Sequence, residues 1–290
     1  MRVELTNTAR KLCVIGDPVV HSKSPLLQNA MCQALGLDYL YLCQPVTVDT
    51  LADFLAAAKT LGYAGFNATM PFKELLLPHL DGLDPLAAKL GAVNTVCIKD
   101  GKLYGYNTDC PGYVAALQSA GFDPTGKHVL LLGAGGAAKA VAVGLAHAGA
   151  TVTISNRTRQ KAQAVADLIP GQGDVADWTT EELKARAARC HLLVNATSLG
   201  MAGQGEFDDL SFLEALPDGI MSGGAWVSDL IYHPAKTKLL QRAEELGLPV
   251  QNGLPLLMHQ ARLALEHFTG QEVPPGIAIP AMESALASAQ

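Results

Sequence analysis

Lys73 follows a proline and a phenylalanine in GFNATMPFKE, residues 65–74. A lysine there is either a solvated loop residue, as most lysines are, or a positive charge at the mouth of a site. Oxidation or reduction at an alcohol carbon requires a hydride acceptor and a side chain that manages the hydroxyl proton, and lysine and aspartate both qualify. A second candidate stretch is HSKSP, where Ser22 and Ser24 flank Lys23 just before an expected helix. Two hydroxyls at a helix N-terminus suit an anion; the plainer reading is that Ser24 caps the helix and Ser22 is exposed. NATM, AVNT (92–95) and YNTD (106–109) are unremarkable when each is taken singly, since Asn-Thr pairs are common at turns.

The stronger chemical signal is GAGGAA, Gly133, Ala134, Gly135, Gly136, Ala137 and Ala138, which fits G-x-G-x-x-A. Gly133 permits a tight turn, Gly135 lets the backbone approach a pyrophosphate, and Ala138 lets the helix pack on the strand. The apolar run HVLLL precedes the turn and an alanine-rich segment follows it. A dinucleotide site is therefore expected, with phosphate at the helix N-terminus. After the next strand, TVTIS, the chain reads Asn156, Arg157, Thr158, and no acid appears until Asp167. An acid there would accept from the ribose 2′-hydroxyl of NAD(H), whereas Arg157, with Lys161 one turn on, suits a 2′-phosphate. NADP(H) is the expected cofactor.

These groups need elements to place them. KLCVIG (11–16), YLYLCQPV (39–46) and GFNAT (65–69) read as strands, with helices between them. VNTVCIKDGKLYGYN reads as a hairpin turning at Asp100-Gly101. Beyond residue 109 the pattern becomes strand, glycine turn, helix, strand within about 30 residues, one βαβ unit. Further strands are expected at 191–197 and 225–232. The whole reads as α/β, with a doubly wound, largely parallel sheet in its second part. LPLLMHQARLALEHFTG (254–270) is read as the last helix, free to return to the first part and leave a cleft between two lobes.

Composition bounds the function. The 290 residues are 49% hydrophobic and 17% charged, with a net charge of −6, which argues against nucleic-acid or membrane-surface binding. No apolar run approaches a membrane span, and MRVELTNTARK lacks the apolar core of an export signal. The six cysteines are scattered, with no zinc-like spacing, so no metal is expected and the chain reads as cytoplasmic.

In order, GDPVVHSKSP, GFNATMPFK, GAVNT, GYNTD, GAGGAA, NRT, NATS, DLIYHP and HQA closely resemble the shikimate dehydrogenase family, from about residue 11 to about residue 270. The resemblance implies an NADP-dependent oxidoreductase acting on a CH–OH group, reducing 3-dehydroshikimate to shikimate in aromatic amino-acid biosynthesis. It implies a substrate domain over 1–109 plus 253–290 and a Rossmann-like NADP domain over 110–252. By the same resemblance, Ser22 and Ser24 hold the substrate carboxylate, and Lys73 with Asp109 forms the catalytic pair. Thr69, Asn94 and Gln260 meet ring hydroxyls, and Tyr232 lines the site. Asn156, Arg157 and Thr158 clamp the 2′-phosphate, Thr197 and Ser198 cross near the cofactor, and Leu230 and Gly253 line the nicotinamide pocket. Two roles fit Lys73, a proton carrier or a fixed donor stabilising alkoxide character.

The chain departs from the family pattern at Cys110-Pro111, where glycine is usual, at Ala68 in place of valine, and at Lys161 in place of arginine. GLPLLMHQA replaces a more typical run, so placing Gln260 depends on the alignment. Rival readings are a quinate- or aminoshikimate-using relative, a folate dehydrogenase of similar plan, and a non-catalytic NADPH-binding regulator. The Ser22/Ser24 pair, the missing acid after TVTIS, and the presence of both Lys73 and Asp109 weigh against them. The partner expected is a small-molecule substrate, and the assembly a monomer or homodimer.

Overall fold

A computed structural model describes residues 5–217 and 224–289. The first four residues of the segment read for an export signal, and Gln290 at the end of the C-terminal tail, lie outside the described residues. The chain packs as two units, Met1–Thr108 with Met258–Gln290, and Asp109–Leu257.

The first unit begins with six strands: β1 Arg10–Gly16, β2 Tyr39–Pro45, β3 Tyr63–Ala68, β4 Gly82–Leu83, β5 Thr95–Lys99 and β6 Lys102–Tyr106. Their order is β2-β1-β3-β5-β6-β4. β1 runs parallel to β2 and β3, while β5 runs antiparallel to both β3 and β6. The β5–β6 turn is made by Asp100 and Gly101, both at positive φ (50° and 71°), the conformation that a two-residue hairpin favours. Helices α1 Ser24–Ala34, α2 Leu51–Thr60, α3 Phe72–Leu75 and α4 Pro85–Leu90 fill the connections. Ile15, Phe66, Phe72, Leu76 and Val96 share one buried core, so the short α3 is anchored by Phe72 beside Lys73.

The second unit contains α5 Asp109–Ser119, β7 His128–Leu132, α6 Gly136–His147, β8 Thr151–Ser155, α7 Arg159–Ala166 and β9 Gly173–Ala176. It continues with α8 Thr180–Ala187, β10 Leu192–Asn195, β11 Trp226–Asp229, α9 Lys238–Glu245 and β12 Val250–Gln251. All the pairings are parallel, in the order β9-β8-β7-β10-β11-β12. Counted from its first strand this is 3-2-1-4-5-6, the dinucleotide-binding order, which reverses direction between β7 and β10.

Two helices complete the chain, α10 Leu254–Thr269 and α11 Pro275–Ser288. The sequence reading ended the helices at residue 270, and α11 corrects it. Its Pro275 occupies the first turn, where proline is tolerated, Ala278 and Met282 are buried, and the helix packs on α1. That packing outweighs Pro280 inside the helix. Among the described residues, no helix is long and apolar enough to cross a membrane.

Candidate functional site

Strand direction alone gathers one set of groups. In the first unit the C-terminal ends of β1, β3 and β6 and the N-terminal end of β5 lie at one edge of the sheet. Ser22 and Ser24 follow β1, Thr69 and Lys73 follow β3, and Asn94 immediately precedes β5. Backbone bonds tie these segments together: Thr69 N–H donates to Ile15 O at 3.0 Å, Val93 N–H to Lys73 O at 2.8 Å, and Ala68 N–H to Asn94 O at 2.9 Å. Asn94 is buried, and Ser22, Ser24, Thr69 and Lys73 are half-buried.

Ser24 does not cap α1. It is the first helical residue, the N-cap is Lys23 with no side-chain cap bond, and Ser22 Oγ accepts the Ser24 N–H at 3.2 Å. Nearby on β2, the buried Tyr41 phenol donates to Asn67 Oδ1 at 2.7 Å. Burial holds that phenol well above its ordinary range. Gln260 lies on α10, next to Ala261, whose carbonyl accepts from Gln28 Nε2 on α1 at 2.9 Å.

In the second unit the glycine turn sits at the C-terminal end of β7, where the strand order reverses. Gly133 has φ +111°, and a Cβ there would come within 2.8 Å of Ala196 O, so only glycine fits. Gly135 and Gly136 are different: a Cβ on either would meet nothing within 4 Å. Their missing side chains leave open space at the N-terminus of α6, with Ala134 and Ala137 alongside and Ala138 buried behind. Gly133 N–H donates to Ser155 O at 2.8 Å, which brings the end of β8 beside this turn. Asn156 Nδ2 there donates to Thr158 O at 3.0 Å. Among the described residues, the exposed Arg157 and Lys161 have no ion-pair partner, whereas nearby Arg159 pairs with Asp177. Open backbone N–H groups beside two uncommitted cations fit a phosphorylated dinucleotide.

Across the strand reversal, Thr197 and Ser198 follow β10. Asn195 Oδ1 accepts from Thr197 N–H (3.0 Å) and Thr197 Oγ1 (2.7 Å), and Asn195 Nδ2 donates to Asp229 Oδ1 (3.0 Å). Asp229 also accepts from Ile231 N–H and Thr237 Oγ1, which fixes the segment holding Leu230. Burial raises the Asp229 pKa, against hydrogen bonds from Thr237, Ile231 and Asn195 that lower it. Gly253 lies under this loop: a Cβ there would come 2.0 Å from Leu230 O. Tyr232, in the same loop, is 40% exposed. Asp109 opens α5, in the first turn, where its charge complements the helix dipole.

The sequence reading gave no role to Tyr41, Asn67, Thr95, Asn195 or Asp229. The available signal was a polar residue inside an otherwise apolar strand, since all five are buried.

A parallel 3-2-1-4-5-6 sheet with a glycine turn at its reversal defines a dinucleotide-binding α/β protein. Residues 14–96 match the family described as Shikimate dehydrogenase substrate binding domain, and residues 115–201 match Shikimate / quinate 5-dehydrogenase. The chain belongs to the shikimate dehydrogenase family. It is 41% identical over 281 residues to the shikimate dehydrogenase (NADP(+)) of Alkaliphilus metalliredigens, covering 94% of this chain and 96% of that one. The crystal structure of shikimate 5-dehydrogenase from Listeria monocytogenes, in complex with shikimate and NAD, has a TM-score of 0.87 at 33% identity, covering 97% of this chain and 98% of that one. The enzyme from Thermus thermophilus, in complex with NADP(H) and shikimate, gives 0.81 at 35% identity, covering 95% and 99%.

Proposed function

We propose that this chain catalyses the reversible, NADP-dependent interconversion of shikimate and 3-dehydroshikimate, a step towards chorismate and the aromatic amino acids. It would act in the cytoplasm, as a monomer or homodimer. The observation that carries the reading is the single sheet edge bearing Ser22, Ser24, Thr69, Lys73 and Asn94. That edge offers hydroxyls for a carboxylate, a cation, and an amide for ring hydroxyls.

Ser22 and Ser24 hold the carboxylate, while Thr69, Asn94, Gln260 and Tyr232 orient the ring. The open glycine turn at Gly133–Ala137 takes the pyrophosphate, and Asn156, Arg157, Thr158 and Lys161 take the 2′-phosphate. Thr197 and Ser198 cross near the cofactor, and Leu230 and Gly253 line the nicotinamide side. NADP(H) held there would supply the hydride chemistry for the carbinol carbon. Lys73 and Asp109 manage the proton on the hydroxyl oxygen, with Lys73 donating a hydrogen bond to it. The substrate contacts then fall over 1–109 plus 253–290, Tyr232 excepted, and the cofactor contacts over 110–252, Gly253 excepted.

The test is a set of four assays, NADP⁺ or NAD⁺ against shikimate or quinate, following absorbance of the reduced cofactor. Shikimate with NADP⁺ is expected to give the highest kcat/KM. Faster turnover of quinate with NAD⁺ would refute the assignment.

A further inference from the structure

Five buried side chains of the first unit form one unbroken hydrogen-bonded chain. Tyr41 on β2 reaches past β1 and donates from its phenol to Asn67 Oδ1 at 2.7 Å. The β3–β5 register places Asn67 opposite Thr95. Both amide hydrogens of Asn67 are committed within the protein, to Asn94 O at 3.0 Å and Thr95 Oγ1 at 2.9 Å. Thr95 Oγ1 in turn donates to Asn94 Oδ1 at 2.9 Å. The same oxygen accepts the Thr108 backbone N–H at 2.9 Å, and Asn94 Nδ2 donates to Thr108 Oγ1 at 2.9 Å. A backbone N–H can only donate, so the Asn94 amide has one orientation, its oxygen towards Thr95 and Thr108.

We propose that Thr95 is a positioning residue for the reaction. Its hydroxyl holds the Asn94 amide in the orientation that meets a substrate hydroxyl. Through Asn67 the same row extends to the Tyr41 phenol. Thr95 is fully buried, so it acts only through Asn94 and Asn67. The inference rests on the substrate role proposed above for Asn94. A buried network satisfied at every link gains rigidity as a unit, so losing one hydroxyl loosens the whole row.

The experiment compares Thr95→Val, which keeps the shape and removes the hydroxyl, with Thr95→Ser, which keeps the hydroxyl. In Thr95→Val, kcat/KM for shikimate is expected to fall roughly tenfold, about the worth of one hydrogen bond. KM for NADP⁺ should stay within about a factor of two, and Thr95→Ser should recover most of the loss. If Thr95→Val is insoluble, Thr95→Ala is read in its place, with melting temperatures recorded for all variants. Wild-type kcat/KM per folded molecule in the hydroxyl-less variant would overturn the inference. So would equal losses in Thr95→Ser and Thr95→Val, which would mean that any change of this side chain disturbs its packing, with or without the hydroxyl. A wild-type protein inactive on shikimate would overturn the activity reading itself, and the inference with it. An active wild type beside an unaffected Thr95→Val would overturn the inference alone.

Discussion

Arg157 carries the charge that would distinguish a phosphorylated ribose from a plain one. Its guanidinium is exposed and has no ion-pair partner among the described residues, so removing it strands no neighbour. Arg157→Ala is expected to raise KM for NADP⁺ about tenfold to a hundredfold, the value of a charge-assisted contact, and to leave NAD⁺ kinetics nearly unchanged. Equal losses with both cofactors would make Arg157 a structural residue. Lys73 calls for a rate measurement. Lys73→Ala should lower kcat by roughly 10²–10⁴, the range for losing a positioned acid–base group, with little change in KM for NADP⁺. Lys73→Arg keeps the charge but exchanges protons poorly, so an active arginine variant would favour fixed electrostatic stabilisation. Ser22→Ala and Ser24→Ala should act mainly on shikimate KM, as contacts shared by ground and transition states do. Wild-type kinetics in both would remove the serines from the site.

At the scale of elements, close approach makes the sharpest prediction. Leu230 O would lie 2.0 Å from a Cβ at residue 253, so Gly253→Ala must displace the loop after β11. About 1–3 kcal/mol of stability should be lost, as in other overpacked sites, visible as a lower melting temperature. An unchanged melting temperature would mean that the loop yields freely. The elements most legible in the sequence carry local signals: the glycine turn between HVLLL and an alanine-rich helix, and the hairpin at Asp100-Gly101. Short edge strands such as β9 and β12 carry little pattern of their own, and α11 is hidden by its prolines until α1 supplies a packing face. The cap at α1 was misread because Ser22 and Ser24 satisfy the same local rule, and only the fold makes Ser24 the first helical residue with its N–H on Ser22 Oγ. Ser22, Lys73 and Arg157 were open to proposal because each lies in a short motif and the motifs follow one another in the family's order. Asn67 and Thr95 were not, because their meaning lies in a cross-strand register between distant residues.

Over the whole molecule, burial sets the response to acid. His191, His259 and His267 all have pKa values lowered below the ordinary 6.5, in each case chiefly by burial. Protonation of such groups favours the unfolded chain, so stability is complete above about pH 7 and falls as pH drops through 6.5. Asp229, raised above 3.8, acts in the opposite sense, with stability lost as pH rises through its folded value. Between pH 7.5 and 5.5 the histidines should dominate, so the melting temperature should fall as the pH drops through 6.5. His267→Phe, which keeps a ring against Tyr106, should flatten that decline. A melting temperature independent of pH across this range would exclude the buried histidines as its cause. The first unit is also discontinuous in sequence, and this has a consequence for how the chain is made. Gln28 waits for Ala261, Cys97 for the carbonyl of His267, and α1 for α11. At ordinary synthesis speeds the ribosome needs roughly 7–30 s to deliver Asp109–Leu257 in between. The second unit, contiguous in sequence, is therefore complete on the ribosome before the first can close, and the oldest part of the nascent chain, up to Thr108, keeps an uncovered apolar face until the last helices are made.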